Sequence, residues 1–253
     1  LSGNEVAPGW PHGVARISLD SVDSTNAYAA QLAPAGPTWI TAAEQTGGRG
    51  RRGRPWQSPR GNFYGTLVLQ PTEDAAQVAL RSFGAALALR DACVALTGLE
   101  VGLSLKWPND VLLNGGKLAG ILLESNGAGP KISQLCIGIG VNLIAAPPRD
   151  LVEQGATPPV SLLAETGVRI SPEAFLTALA KSYAHWESIF ANQGFSPLRT
   201  AWLSHAARLG ETITARTGTS SETGVFETID ASGALILKTT RGRRAIPAAE
   251  IFF

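Results

Sequence analysis

The sequence predicts an α+β fold, a mixed β-sheet with packed helices, followed by a small β domain at the C-terminal end. Three observations lead there. Segments rich in β-branched and aromatic residues alternate with alanine- and leucine-rich segments along most of the chain. From about residue 206 the pattern changes to brief strands, ETITART, GVFETID, ALILKTT and RRAIP, separated by glycine and serine turns. The 253 residues, 44% of them hydrophobic, can bury a sizeable core, which excludes wholesale disorder and a collagen-like chain. The expected division is residues 1–205 for the larger domain and 206–253 for the smaller.

ARISLDSV reads as a strand, and residues 24–33 as a short helix entered through the capping candidates Asp23 and Ser24. Residues 39–43 and 63–69 are strands, the second stronger because aromatic and β-branched residues lie between turn signals. Thr72 can cap a helix with Glu73 and Asp74 in its first turn, running to Leu96 and stopping at Gly98. That helix is apolar on most sides and should pack against the sheet. Strands are expected at 103–106, 111–113, 118–124 and 134–143, with Asn114-Gly115-Gly116 as a tight hairpin turn and mostly antiparallel pairing. After a proline- and glycine-rich loop at 145–160, Ser171-Pro172-Glu173 opens a helix that turns Phe175, Leu179, Trp186 and Phe190 to one side and stops near Gly194. A short helical piece covers residues 197–207.

Lysine and arginine number 21 against 20 aspartates and glutamates, a net charge of +1, so there is no chain-wide basic footprint for nucleic acid. Cys93 and Cys136 each lie in an apolar run, where a buried thiol in a reducing compartment is the plain reading. His12, His185 and His205 share no metal-ligand spacing, so no fixed protein metal site is expected. The longest uncharged run, 132–148, is broken by polar residues, glycine and two prolines and does not resemble a membrane span. The first residues lack the basic cluster and apolar stretch of a signal peptide. A soluble cytoplasmic protein without a membrane partner is expected.

The most informative segment is QTGGRGRRGRPW, residues 45–56, which sets Arg49, Arg51, Arg52 and Arg54 beside Gly47, Gly48, Gly50 and Gly53. Glycine lets backbone N–H groups turn inward while guanidinium forks grip phosphate or carboxylate, so the segment reads as an anion site. Its spacing fits neither a Walker A loop nor the dinucleotide fingerprint. A solvated basic loop and an RNA-binding arginine-glycine segment are the competing readings; against RNA, only Trp56 offers an aromatic platform nearby. A second cluster is Lys106-Trp107-Pro108-Asn109-Asp110, where Asn109 and Asp110 as a plain turn is the alternative. The third, GGKLAGILLE at 115–124, brings Lys117 into a buried strand, a position that demands an anionic partner. Arginine, lysine, asparagine and aspartate around an anion suit phosphoryl or nucleotidyl chemistry, where positioning and electrostatics do most of the catalysis.

Taken in order, Asp23-Ser24-Thr25-Asn26, QTGGRGRRGRPW, KWPND at 106–110, GGKLAGILLE at 115–124 and GIGVNL at 138–143 resemble the biotin-protein ligases (biotin-[acetyl-CoA-carboxylase] ligases). The likeness covers residues 15–145 closely and the C-terminal β domain more loosely. It implies a class II synthetase-like catalytic domain of the biotin/lipoate ligase type and a small C-terminal SH3-like β-barrel. Bifunctional members of the family carry a DNA-binding helix-turn-helix domain before the first motif. Only 22 residues precede Asp23, so a monofunctional enzyme that does not bind DNA is expected.

The resemblance further implies that biotin's carboxylate attacks the α-phosphate of Mg-ATP to give biotinyl-5′-AMP, and that a lysine of a biotin carboxyl carrier domain then takes the biotin. ATP, Mg2+ and biotin are thus the implied small molecules, and the carrier protein of biotin-dependent carboxylases the implied partner; a homodimer through the central sheet is compatible. The resemblance puts Ser24, Thr25, Asn26 and Gln45 at the biotin head group, Arg49, Gly50 and Arg51 on the biotin and phosphate side of the loop, and Lys117 on the biotin carboxylate and α-phosphate. Arg52, Arg54, Trp56, Asn109 and Asn142 are the implied nucleotide contacts. Lys117, Arg51 and Asp110 are the candidate catalytic residues, Asp110 either orienting or deprotonating the acceptor lysine or serving as a turn carboxylate. Pro55 stands where the family often has a different residue. Lipoate-protein ligases and octanoyltransferases share the fold and are the competing enzyme reading.

Overall fold

The computed structural model of the chain describes residues 9–128, 131–153, 155–217 and 220–252. Its larger sheet is built from β1 (Ala15–Val22), β2 (Thr38–Gln45), β3 (Phe63–Leu69), β4 (Leu103–Lys106), β5 (Asp110–Leu113), β6 (Gly116–Ala128) and β7 (Lys131–Val141), in the spatial order β1-β2-β3-β7-β6-β5-β4. Helix α1 (Thr25–Ala30) connects β1 to β2, and these two strands run parallel, as strands joined through a helix do. The other pairings are antiparallel, so the sheet is mixed as expected. Strand β6 runs on past its expected end and β7 starts before its expected start because their hairpin pairs almost to its tip, Ala128 opposite Lys131.

The long alanine-rich helix is divided. Asp74, not Thr72, supplies the cap, its Oδ1 accepting from Gln77 N at 2.9 Å, and opens α2 (Ala75–Ala79). Leu80 is the junction to α3 (Arg81–Thr97), which ends at Gly98 in the left-handed conformation that favours glycine. Residues on all sides of α3 are buried, because it lies between the sheet and the helices α5 (Pro172–Gln193) and α6 (Phe195–Ser204), which follow the short α4 (Leu162–Thr166). Ser171 caps α5 with Pro172 at its first position, and Phe175, Leu179 and Phe190 face inward as the spacing requires.

Strand alternation divides the larger sheet into two chemically different faces. Phe63, Leu67 and Leu69 of β3, Ala119 and Ile121 of β6, and Ile137, Ile139 and Val141 of β7 point into the main core under α3 and α5. On the opposite face, Val68 and Cys136 meet Ala29 of α1 and Ile40. Beside that cluster, Gly138 and Gly140 of β7 with Gly120 and Leu122 of β6 border the cleft described below.

The smaller sheet contains β8 (Thr212–Arg216), β9 (Ser221–Ile229), β10 (Leu235–Thr239), β11 (Gly242–Ile246) and β12 (Glu250–Phe252), ordered β11-β10-β9-β8-β12 and antiparallel throughout. Strands β11 and β12 occupy opposite edges and no pairing joins them among the described residues, so the expected small barrel is an antiparallel sheet without closure. Trp107 fastens this sheet to the larger one, its indole N–H donating to Gly233 O at 3.0 Å, while Gly233 abuts Leu80 and Phe83.

Candidate active site

Strand β7 reads Ile137-Gly138-Ile139-Gly140-Val141, so its large side chains go to the core and nothing but hydrogen lies on the other face. Gly120 of β6 pairs with Gly140 and continues that bare floor. Above it opens a cleft of about 460 Å3 lined by Ser24, Thr25, Asn26, Gln45, Arg49, Gly50, Arg51, Arg52, Arg54, Trp56, Asn109, Asp110, Lys117 and Asn142, the full set of sequence-predicted site residues. The floor must be glycine: a Cβ on Gly140 would fall 2.6 Å from Trp56 Nε1, and one on Gly138 would strike the Asn26 amide.

One end of the cleft is a hydrogen-bonded polar network. Ser24 caps α1, accepting from Ala27 N. Thr25 N and Oγ1 lie 2.9 and 3.1 Å from Gln45 Oε1, and Gln45 Nε2 donates to Ser58 Oγ at 3.1 Å. Thr66, fully buried on β3, has its hydroxyl 2.8 Å from Thr25 Oγ1 and 2.6 Å from Asn26 Oδ1. Asn26 Nδ2 donates to Glu124 Oε2 at 2.8 Å, and Glu124 Oε1 pairs with Arg49 at 3.3 Å.

The arginine segment is a pinched loop. Trp56 N donates to Gly48 O at 2.8 Å and Gly50 N to Arg54 O at 2.7 Å, with Arg49 bridged to Pro55, so the neck is tied and residues 51–54 project. Carboxylates of distant segments hold the projecting arginines: Arg52 and Arg54 pair with Glu250 of β12, and Arg54 also with Glu153 at 2.7 Å. The Arg54 hydrogen bond keeps the Glu250 carboxyl below its ordinary range, and Glu250 in turn raises Arg54. Arg51 donates to Asn109 Oδ1 and to Ala249 O; burial lowers its pKa more than Asp110 raises it.

Lys117 finds the anionic partner its position demands in Asp110, 2.8 Å from Nζ, and its ammonium sits 5.6 Å from the centre of the Trp56 ring. Lys106, buried beside them, donates to Thr157 Oγ1 at 2.7 Å, and burial lowers its pKa. Asn109 Nδ2 donates to Ile121 O at 2.6 Å, and buried Asn142 donates to Val160 O at 3.1 Å, so both amides also brace the backbone around the cleft. Trp56 Nε1 is buried without a hydrogen-bond partner among the described residues. Among the described residues no group of three or more His, Cys, Asp or Glu gathers to hold a metal ion, and no helix is long and apolar enough to cross a membrane.

Several residues in and behind the cleft carry no role in the sequence reading. The floor glycines were detectable in the isoleucine-glycine alternation, Thr66 as the one aliphatic hydroxyl within FYGTLVL, and Glu124 as the acid closing GGKLAGILLE. Glu153 and Glu250 had no signal, since only the fold brings them to the loop.

Residues 18–142 match the biotin/lipoate A/B protein ligase family, and residues 209–253 the biotin protein ligase C terminal domain. The chain is 57% identical to the biotin--[acetyl-CoA-carboxylase] ligase of Paracoccus denitrificans, over 93% of this chain and 99% of that one. It is 31% identical to the bifunctional ligase/repressor BirA of Bacillus subtilis, over 93% of this chain and 73% of that one. Among solved structures, a biotin protein ligase from Aquifex aeolicus in complex with biotin and ATP superposes with a TM-score of 0.79 at 28% identity, covering 94% of this chain and 97% of that one.

Proposed function

The chain belongs to the biotin protein ligase family, and on that premise we propose that it activates biotin as biotinyl-5′-AMP and passes it to a lysine of a biotin carboxyl carrier domain. The observation that carries this is the single cleft in which a neutral amide and hydroxyl cluster, a lysine and an arginine loop meet over a glycine floor. Thr25, Asn26 and Gln45, with Ser24, receive the ureido ring, for which neutral polar groups are the right partners. Lys117 sits against the biotin carboxylate and the α-phosphate as a point charge. A carboxylate oxygen attacks the α-phosphorus, the bond to the β-phosphate oxygen breaks, and pyrophosphate leaves.

Arg51, Arg52 and Arg54 neutralise the charge that develops on the phosphates, Arg52 and Arg54 exchanging Glu250 and Glu153 for phosphate oxygens. Trp56, Asn109 and Asn142 complete the nucleotide side. Ordering of the loop over the mixed anhydride keeps it from water. In the second step the carrier lysine's neutral amine attacks the acyl carbon, the bond to phosphate breaks and AMP leaves, and the amine nitrogen releases one proton to water, with Asp110 orienting the amine. Mg2+ would serve as counter-ion of the ATP phosphates, while the cleft carboxylates Asp110, Glu153 and Glu250 are each paired with lysine or arginine. A carrier domain as partner, a homodimer through the central sheet, residence in the cytoplasm and a domain division at residues 205/206 are parts of the same reading.

Exchange of labelled pyrophosphate into ATP, run with biotin, lipoate or octanoate, tests the first step. Exchange that requires biotin is expected. Exchange with lipoate or octanoate alone would assign the protein to the sister enzymes, and exchange with none would reject the ligase reading.

A further inference from the structure

We propose that Glu124 and Thr66, which do not line the cleft, are positioning residues that set the direction of the hydrogen bonds offered to the head group and thereby select a ring carrying N–H donors. This rests on the biotin reading above. Asn26 Nδ2 lies 2.8 Å from Glu124 Oε2 and 3.4 Å from Leu122 O. Both of those partners can only accept, so the amide nitrogen must face them and Oδ1 must face Thr66. Asn26 Oδ1 likewise only accepts, so the Thr66 hydroxyl proton, across 2.6 Å, is committed to it.

A hydroxyl has one proton, so the 2.8 Å contact between Thr66 and Thr25 must use the Thr25 proton. Thr25 Oγ1 is then left with lone pairs, and Gln45 Oε1 takes the Thr25 backbone N–H at 2.9 Å but not the hydroxyl at 3.1 Å. One hydrogen of Gln45 Nε2 is committed to Ser58, which fixes Oε1 toward Thr25. Thr25, Asn26 and Thr66 are almost fully buried, so water cannot reverse the chain. The cleft thus presents acceptors at Thr25 and Gln45. A ureido ring brings two N–H donors to them, whereas a dithiolane ring or an alkyl chain brings none and would leave both acceptors unpaired.

Glu124→Gln keeps the size of the side chain and reverses the chain. Arg49 offers only donors, so it takes the oxygen of the new amide and turns its nitrogen toward Asn26. Asn26 then flips, Thr66 donates to Thr25 and Thr25 donates to Gln45 Oε1, so Gln45 Oε1 is filled and Thr25 Oγ1 keeps a single lone pair. In pyrophosphate exchange the KM for biotin should rise about tenfold while kcat at saturating biotin and the KM for ATP stay within about twofold. Discrimination between biotin and a biotin methylated on one ureido nitrogen should shrink in the same variant. In a Thr66→Val background, where the chain is already cut, Glu124→Gln should change the biotin KM no further. An unchanged biotin KM in Glu124→Gln, a proportional loss in kcat and ATP KM, or additivity with Thr66→Val overturns the proposal. Absence of biotin-dependent exchange in the unmodified protein would instead overturn the biotin reading, and this inference with it.

Discussion

Gly140→Ala separates the two faces of β7. Gly140 pairs with Tyr64 on one side and Gly120 on the other, so its backbone is held inside the sheet and cannot yield. The added Cβ would lie 2.6 Å from Trp56 Cε2 and Nε1 and 2.9 Å from Cζ2. Carbon contacts are comfortable near 3.5–4.0 Å, so the indole must retreat by about 1 Å. Trp56 belongs to the arginine loop, whose neck bond from Trp56 N to Gly48 O carries the displacement into residues 51–54. A misplacement of about 1 Å in reacting groups costs on the order of a hundredfold, and kcat/KM for biotin-dependent pyrophosphate exchange should fall by about that factor. Stability should change by no more than about 1 kcal/mol, a Tm shift within about 2–4 °C by calorimetry. Ile139→Val, one residue away on the core face, should do the opposite, costing about 0.5–1.5 kcal/mol with exchange intact. Full activity of a folded Gly140→Ala protein, or a collapse in Tm as large as that of a core mutant, would refute this division of the strand.

Three further outcomes are expected. Lys117→Ala should lower kcat for pyrophosphate exchange by about 10²–10³ with the circular dichroism spectrum retained, as loss of a cation at developing charge does; exchange at the unmodified rate would remove Lys117 from the chemistry. Glu250→Gln should cost about 1 kcal/mol or less, since Arg54 is half exposed, read as a shift in urea midpoint. Arg54 holds the Glu250 carboxyl below its ordinary 4.5, so this contribution is complete above that pH and lost as pH falls through the lowered value. The midpoint difference should therefore be constant from neutral pH down to about 5 and vanish in more acid solution. Burial pushes the Cys93 thiol up to about 12 and Cys136 up to about 11, so neither should react with a thiol reagent at pH 8 until urea unfolds the chain.

The sequence was most legible where a segment's pattern is its own cause. FYGTLVL is a strand because β-branched and aromatic residues fill both of its faces, and Ser171-Pro172 starts a helix by supplying the cap and a fixed φ. The start at Asp74 rather than Thr72 was decided by which side-chain oxygen reaches the Gln77 amide, a choice between nearby residues that spacing does not make. The cleft's motifs were visible because glycine, arginine and lysine interrupt apolar runs that would otherwise be plain sheet. Strand β12 was not, since three residues carry no periodicity and become a strand only by pairing with β8. Glu250 therefore came to the arginines through the fold alone, and so did the chain from Glu124 through Thr66 to Gln45, which links three strands and a helix start.

The central claim is that this cleft joins biotin to a carrier lysine at the expense of ATP. Intact-mass analysis of an apo biotin carboxyl carrier domain, incubated with the protein, Mg-ATP and either biotin, lipoate or octanoate, tests it most directly. A mass gain of one biotin that needs ATP and disappears when the acceptor lysine is replaced is the predicted result. A gain with lipoate or octanoate in its place, or no gain in any tube, would contradict it.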